Sequence, residues 1–191
     1  MIEEFCETFT VEKQLRNPSI WVQQLEERIS EWEKQEKESK DSYRYSYWHD
    51  NSREYVVPFN VSKANERRVL RILDTLDKRL YEIEGAIREG EKRIDSRNNL
   101  DWRFYIYVPL GEFSMLIKEK QKELTFSFFQ DRSSTNTPLL VCSDSKRKPV
   151  EEQIGEALYK LCVTTGRAAN TRELEEPIEK EEQRWKPGNA P

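Results

Sequence analysis

The chain has one histidine, His49, and three cysteines, Cys6, Cys142 and Cys162. Zinc and the common transition metals are held by several His or Cys side chains, so a structural zinc site is close to excluded. A histidine-based catalytic triad would have to use His49, which stands in His49-Asp50-Asn51-Ser52 and reads as turn chemistry. No CxxC occurs, and an odd number of widely spaced cysteines makes no disulfide framework. A reducing, cytoplasmic setting is the expectation. Six glycines are scattered singly, without a phosphate-binding loop, a dinucleotide fingerprint or a G-x-S-x-G elbow. No apolar run nears the ~20 residues that a membrane-crossing helix needs. The opening MIEEFCETFTVEKQL lacks the basic-then-apolar layout of a signal peptide. No motif calls for a cofactor or a metal, and no membrane partner is expected.

Charge, by contrast, is plentiful. Charged residues make up 36% of the chain, against about 25% in ordinary globular proteins, which predicts long solvated faces. The signs nearly balance at a net −4, so a general affinity for polyanions is not indicated, although a local basic patch is compatible with it. Aromatic residues, 11% of the chain with five Trp, argue against wholesale disorder.

The clearest pattern runs from Asn60 to Asp95. Val69, Leu73, Leu76, Leu80, Ile83, Ile87 and Ile94 recur at alternating intervals of four and three, then seven, with Gly90 where one member is missing. This spacing predicts one helix over 60–95 with a seam of the coiled-coil kind. A shorter helix is predicted over 18–39, with Asn17 or Ser19 as cap, Pro18 in the first turn, and Val22, Leu25, Ile29 and Trp32 as its stripe. Four seam positions cannot cover seven. The surplus, Leu80, Ile83, Ile87 and Ile94, is therefore the expected interface for a partner protein or a second copy. Arg79 and Glu84 flank it in a way that favours a parallel self-pair. Leu70 and Ile72 widen the first half of the stripe, as packing on a sheet requires.

The second half reads as a β-meander over 102–143. Trp102, Phe104, Ile106 and Val108 alternate with Arg103, Tyr105 and Tyr107. Residues 112–117 read as a strand, although the following KEKQKE has helical propensity. Two more strands fall at 124–129 and 139–143. Pro149 opens a closing helix over 150–163 with Val150, Ile154, Leu158 and Leu161 inward, ended by Gly166. The expectation is one α+β domain over 1–166, a long helical hairpin packed on a small antiparallel meander with a closing C-terminal helix. A partly helical to disordered tail follows at 167–191.

Three groups of residues carry chemical interest. Tyr43, Arg44, Tyr45, Tyr47, Trp48 and Arg53 interleave aromatic and basic side chains as single-strand binders do, and Arg103, Tyr105 and Tyr107 share one strand face. The same residue types also anchor protein interfaces. Lys146-Arg147-Lys148 precedes a helix start, where a phosphate would be favoured. Asp144-Ser145-Lys146, with Asp131 upstream, resembles the Asp…Asp-x-Lys layout of metal-dependent nucleases, in which two acids hold magnesium and a lysine polarises water. Non-enzymatic protein interaction, with self-association through the long helix, is the leading expectation. Binding of RNA or single-stranded DNA is the alternative, and a metal-dependent nuclease is third.

Overall fold

The computed structural model describes residues 2–41, 57–94, 100–109, 111–130 and 137–164. Three helices and a final helical segment pack on a five-stranded antiparallel sheet. Helix α1 is Ile2–Glu7, α2 is Ile20–Asp41 and α3 is Lys63–Tyr81. Strands β1 (Ala86–Ile94), β2 (Leu100–Val108), β3 (Gly111–Lys120), β4 (Glu123–Gln130) and β5 (Leu140–Ser143) follow, side by side in chain order. A 3₁₀ turn at Val150–Glu152 leads into α4, residues 154–164.

Helix α3 is half as long as the sequence pattern suggests. It begins after Ser62, whose carbonyl accepts the amides of Asn65 and Glu66, and it ends at Tyr81. Glu84 then takes a left-handed conformation (φ 58°), and the Gly85 amide bonds back to the Leu80 carbonyl at 2.8 Å. From Ala86 the chain is a strand. The i, i+4 spacing of Ile83 and Ile87 is common to both periodicities: it lies on one helix face, and it also lies on one strand face, because four is a multiple of two. The glycines decide between them, each being worth about 1 kcal/mol against a helix. A β-carbon on Gly85 would stand 2.6 Å from the Tyr107 carbonyl oxygen, which shows how closely the turn approaches β2.

The expected long hairpin is therefore corrected. Helix α2 packs on a 19-residue α3, and the rest of the supposed seam is the turn that holds Ile83 and then β1. Leu80, Ile83 and Ile87 are buried in the core rather than available as an interface, because Ile87 pairs with Ile106 on the helix-facing side of the sheet. The side chain of Ile94 lies outside the described residues. Arg79 does not wait for a second chain; it pairs with Glu82 at 2.6 Å and donates to the Thr8 hydroxyl.

One hydrophobic core joins the helices to the sheet. Val69, Leu73, Leu76 and Leu80 of α3 are fully buried, and so are Leu70 and Ile72. They meet Phe104 and Ile106 of β2, Phe113, Met115 and Ile117 of β3, and Phe126 and Phe128 of β4. Val22, Leu25 and Ile29 bring α2 onto it, and Ile154, Leu158 and Leu161 bring α4. Trp21 stands edge-on to Phe104 with centroids 6.1 Å apart. Side chains of this size each contribute roughly 1.5–3 kcal/mol on burial. Polar groups fix the helix ends. Asp74, buried in α3, accepts the Ser19 amide at 2.7 Å and the Lys78 ammonium at 2.7 Å, and Ser19 itself caps α2, its carbonyl accepting the Gln23 amide. Arg28 of α2 pairs with Glu89 of β1.

The segment 112–120 is a strand despite its helical composition. Gln121 and Lys122, both at positive φ, make the two-residue turn that sets Lys120 opposite Glu123. The Asn65 side chain holds that turn by donating to the Lys122 carbonyl at 3.0 Å. Residues 57–59 form no strand, although Val57 and Phe59 are buried and Asn60 makes a single parallel bridge to Lys118. All three cysteines are free and buried. Burial pushes the Cys6 thiol up to about 12 and the Cys142 thiol up to about 11.

Gly90 tests the strand assignment. A β-carbon there would lie 2.5 Å from the Arg103 carbonyl oxygen and 2.5 Å from the Tyr105 ring, next to an irregularity between Glu89 and Lys92. Gly90→Ala should therefore lower the urea midpoint by an amount equivalent to about 1–3 kcal/mol. The same substitution in a helix interior would raise stability by about 1 kcal/mol.

Candidate functional site

The residues singled out from sequence separate into three places. Tyr43, Arg44, Tyr45, Tyr47, Trp48 and Arg53 lie outside the described residues, as do Asp131, His49 and the tail from 165. Arg103, Tyr105 and Tyr107 lie on the face of the sheet away from the helices. Asp144 and Lys146-Arg147-Lys148 follow β5.

Asp144 sits at the junction of four elements. Its carboxylate accepts both Nη groups of Arg68 from α3, each at 2.9 Å. It also accepts the Leu124 amide of β4 at 2.9 Å and the Val150 amide at 3.0 Å. A carboxylate offers about four lone-pair positions, and all four are engaged here. The same guanidinium turns its Nε and Nη2 to Glu151, at 2.8 and 2.6 Å, and Nη1 reaches the Asn65 side chain. Burial works to raise the Asp144 pKa, but the Arg68 bonds and the two amides outweigh it and hold the acid down from 3.8 to about 2. Burial likewise works against the charge on Glu151, and Arg68 overrides it to lower that pKa. In turn the two acids raise the Arg68 pKa, Glu151 more than Asp144.

This is the geometry of a structural joint. A metal-binding carboxylate keeps an open oxygen, and Asp144 has none. Among the described residues no group of three or more His, Cys, Asp or Glu is arranged to hold a metal ion. The basic triplet belongs to the turn that follows: the Ser145 amide donates to the Lys148 carbonyl at 3.1 Å, and the Lys148 amide to the Ser145 hydroxyl at 3.0 Å. Lys146 and Arg147 are exposed, whereas Lys148 lies 3.7 Å from Glu156.

The outward sheet face is only partly a platform. Arg103 is buried, with its guanidinium 4.1 Å from the centre of the Phe129 ring. Ser114, Leu116 and Phe129 around it are buried too, so the centre of the sheet is buried on both sides. Tyr105 and Tyr107 are half-buried and Arg88 is exposed, the last with its guanidinium 5.7 Å from the Tyr107 ring centre.

A different surface was not singled out from sequence. Leu139 (44% exposed), Val141 (49%) and Tyr159 (36%) are three of the five large hydrophobic residues exposed among those described. Leu139 and Tyr159, with Leu140, Val163 and Thr164, line a cleft of about 340 Å³ between β5 and the end of α4. Tyr159 also borders a neighbouring cleft of about 310 Å³ that holds Glu3, Glu7, Glu152 and Glu156. From sequence, Leu139 to Ser143 reads as a buried strand. Among the described residues it pairs with β4 alone, and this is what leaves Val141 wet; pairing order is not written in a run of five residues.

No protein-family model matches the chain, and neither a curated protein nor a solved structure does. Among the described residues no helix is long and apolar enough to cross a membrane.

The joint makes stability depend on acid. An Asp144 carboxyl that ionises more readily in the folded than in the unfolded chain stabilises the fold while charged. The contribution is about 2 kcal/mol. It should be whole above about pH 4 and disappear as pH falls through 2. In denaturant titrations at pH 7, Asp144→Asn should cost about 2–3 kcal/mol, while Lys146→Ala stays within about 0.5 kcal/mol. A carboxylate held in reserve for a metal would show the opposite, since its removal leaves the metal-free chain as stable or more so.

Proposed function

We propose that the chain is a non-enzymatic protein-interaction module whose binding surface is the β5 edge with the adjoining face of α4. The exposure of Leu139 and Tyr159 around one cleft carries this reading, with Val141 exposed beside them in the chain on the other face of β5. Exposed apolar groups gathered around a cleft mark contact sites, whereas single ones do not. Asp144, the described residue of the nuclease-like triplet, supports it as well, since its carboxylate is fully engaged in the fold. Self-association through Leu80, Ile83 and Ile87 has no basis left, because these side chains fill the core.

A photo-crosslinking amino acid placed at position 139 or 141 in cells should yield discrete heavier adducts, while one at the exposed position 37 should yield none. Equal labelling at all three positions, or none at 139 and 141, would overturn the assignment.

One observation favours nucleic acid as a second reading. Arg88, Tyr105 and Tyr107 are gathered on one sheet face with the rings partly exposed, an arrangement on which bases can stack. A labelled single-stranded oligonucleotide should then shift at low salt and be released steeply as salt rises. Absence of any shift at low salt would end this reading.

A further inference from the structure

We infer that β5 is a pairing strand for a second copy of this chain, the two β5 strands lying antiparallel across a two-fold axis near Val141. The inference rests on the reading of the β5 edge as the binding surface and names its occupant.

The sheet has two open edges among the described residues, and they are built differently. Strand β1 carries Arg88, Glu89, Glu91, Lys92 and Arg93 among nine residues, with an irregularity in the pairing between Glu89 and Lys92. Charges and bulges are the means by which proteins prevent edge-to-edge pairing. Strand β5 reads Leu-Val-Cys-Ser after Leu139 and has neither a charge nor a bulge.

The hydrogen-bond alternation shows what this edge offers. The Asp144 amide bonds to the Leu124 carbonyl, so in the register of β5 the even-numbered residues turn their backbone groups to β4 and Val141 and Ser143 turn theirs away; just before the strand the alternation breaks, the Leu139 amide also bonding to β4 at the Phe128 carbonyl. The outward carbonyl of Ser143 is accordingly taken by the Gln153 side chain at 2.7 Å. Val141 turns both its amide and its carbonyl outward. Two such residues facing each other across a two-fold axis exchange two bonds and satisfy one another, and their side chains meet on the same sheet face.

Charge selects the direction. Lys146 and Arg147 are exposed just beyond β5. Antiparallel pairing carries the two basic turns to opposite ends of the joint, whereas a parallel pair would set them side by side. Isologous contacts of this kind need a self-complementary surface, and an uncharged apolar strand is one. The strand has four residues, so the contact is small and of the weak class.

Sedimentation velocity from ~10 to ~500 µM, a range suited to weak interfaces, tests this. The native chain should shift toward dimer at the upper end. Val141→Lys should stay monomeric with an unchanged circular dichroism spectrum and melting temperature, and Leu139→Glu, which lies outside β5, supplies a second variant if the first unfolds. A strictly monomeric native chain overturns the inference, and so does a dimer that both folded variants retain. Failure here is separable from failure of the broader reading. Crosslinks from 139 or 141 to another protein, with a monomeric chain, would keep the binding surface and replace its occupant. No crosslink from either position would remove both.

Discussion

A guanidinium on the second turn of α3 reaches two acids that come 76 and 83 residues later in the chain. Arg68 has five N–H donors in a rigid fork, and it meets Asp144, Glu151 and Asn65 with them. Through Asp144 the contact extends to the backbone of β4 and to the start of the turn before α4. The hydrophobic core fixes how far apart helix and sheet lie. It is far less able to fix register, because one Leu against one Phe resembles the next. The Arg68 joint has a single satisfying arrangement, and it pins α3, β4, β5 and α4 in that arrangement. Pairs of this kind contribute little net energy when compared with apolar packing, yet breaking one side leaves a half-buried charge alone.

The sequence showed the joint only as a triplet, Asp144-Ser145-Lys146, which looks as much like a nuclease fragment as like a cap. Nothing local distinguishes the two, since the partner that settles the role, Arg68, belongs to another element. The alternation from Trp102 to Val108 was legible because a strand covered on one face must alternate. The stripe from Val69 to Leu80 was legible because a helix on a sheet must repeat. Ile83 and Ile87 were misread for an equally physical reason: their spacing satisfies both periods. Gly85 and Gly90 break the tie, since two glycines within six residues disfavour a helix. Gln121 and Lys122 concealed a turn in a run of good helix formers, at positive φ values where Asn or Gly is usual. The Asn65 bond to the Lys122 carbonyl helps hold it.

The candidate binding surface was hidden for a different reason. Leu139 to Ser143 is apolar, and an apolar strand of that length is ordinarily central. Its position at the edge follows from the order of pairing, β1 to β5 without a crossover, and from the absence of a sixth strand among the described residues. Meanwhile the basic and aromatic residues of β2 prove less accessible than their alternation implies. Arg103 is folded against Phe129, so the outward side of the sheet is partly a second packed layer and only at Arg88, Tyr105 and Tyr107 a surface.

The grip of α3 on late-coming residues also sets a schedule. Ser62 donates to Glu119, Asn65 to Lys122, and Arg68 to Asp144 and Glu151. On a ribosome the helix emerges long before any of these partners. Its buried face, Val69 through Leu80, then has only the segments before it, α2 and residues such as Cys6, Phe9, Val57 and Phe59, to lie against until the strands have been made. Long-range closure of this kind is slow and leaves apolar surface uncovered in the meantime. A nascent chain halted before residue 151 therefore presents α3 without its lock, and the apolar face of the helix is least covered between the emergence of Tyr81 and that of Glu151.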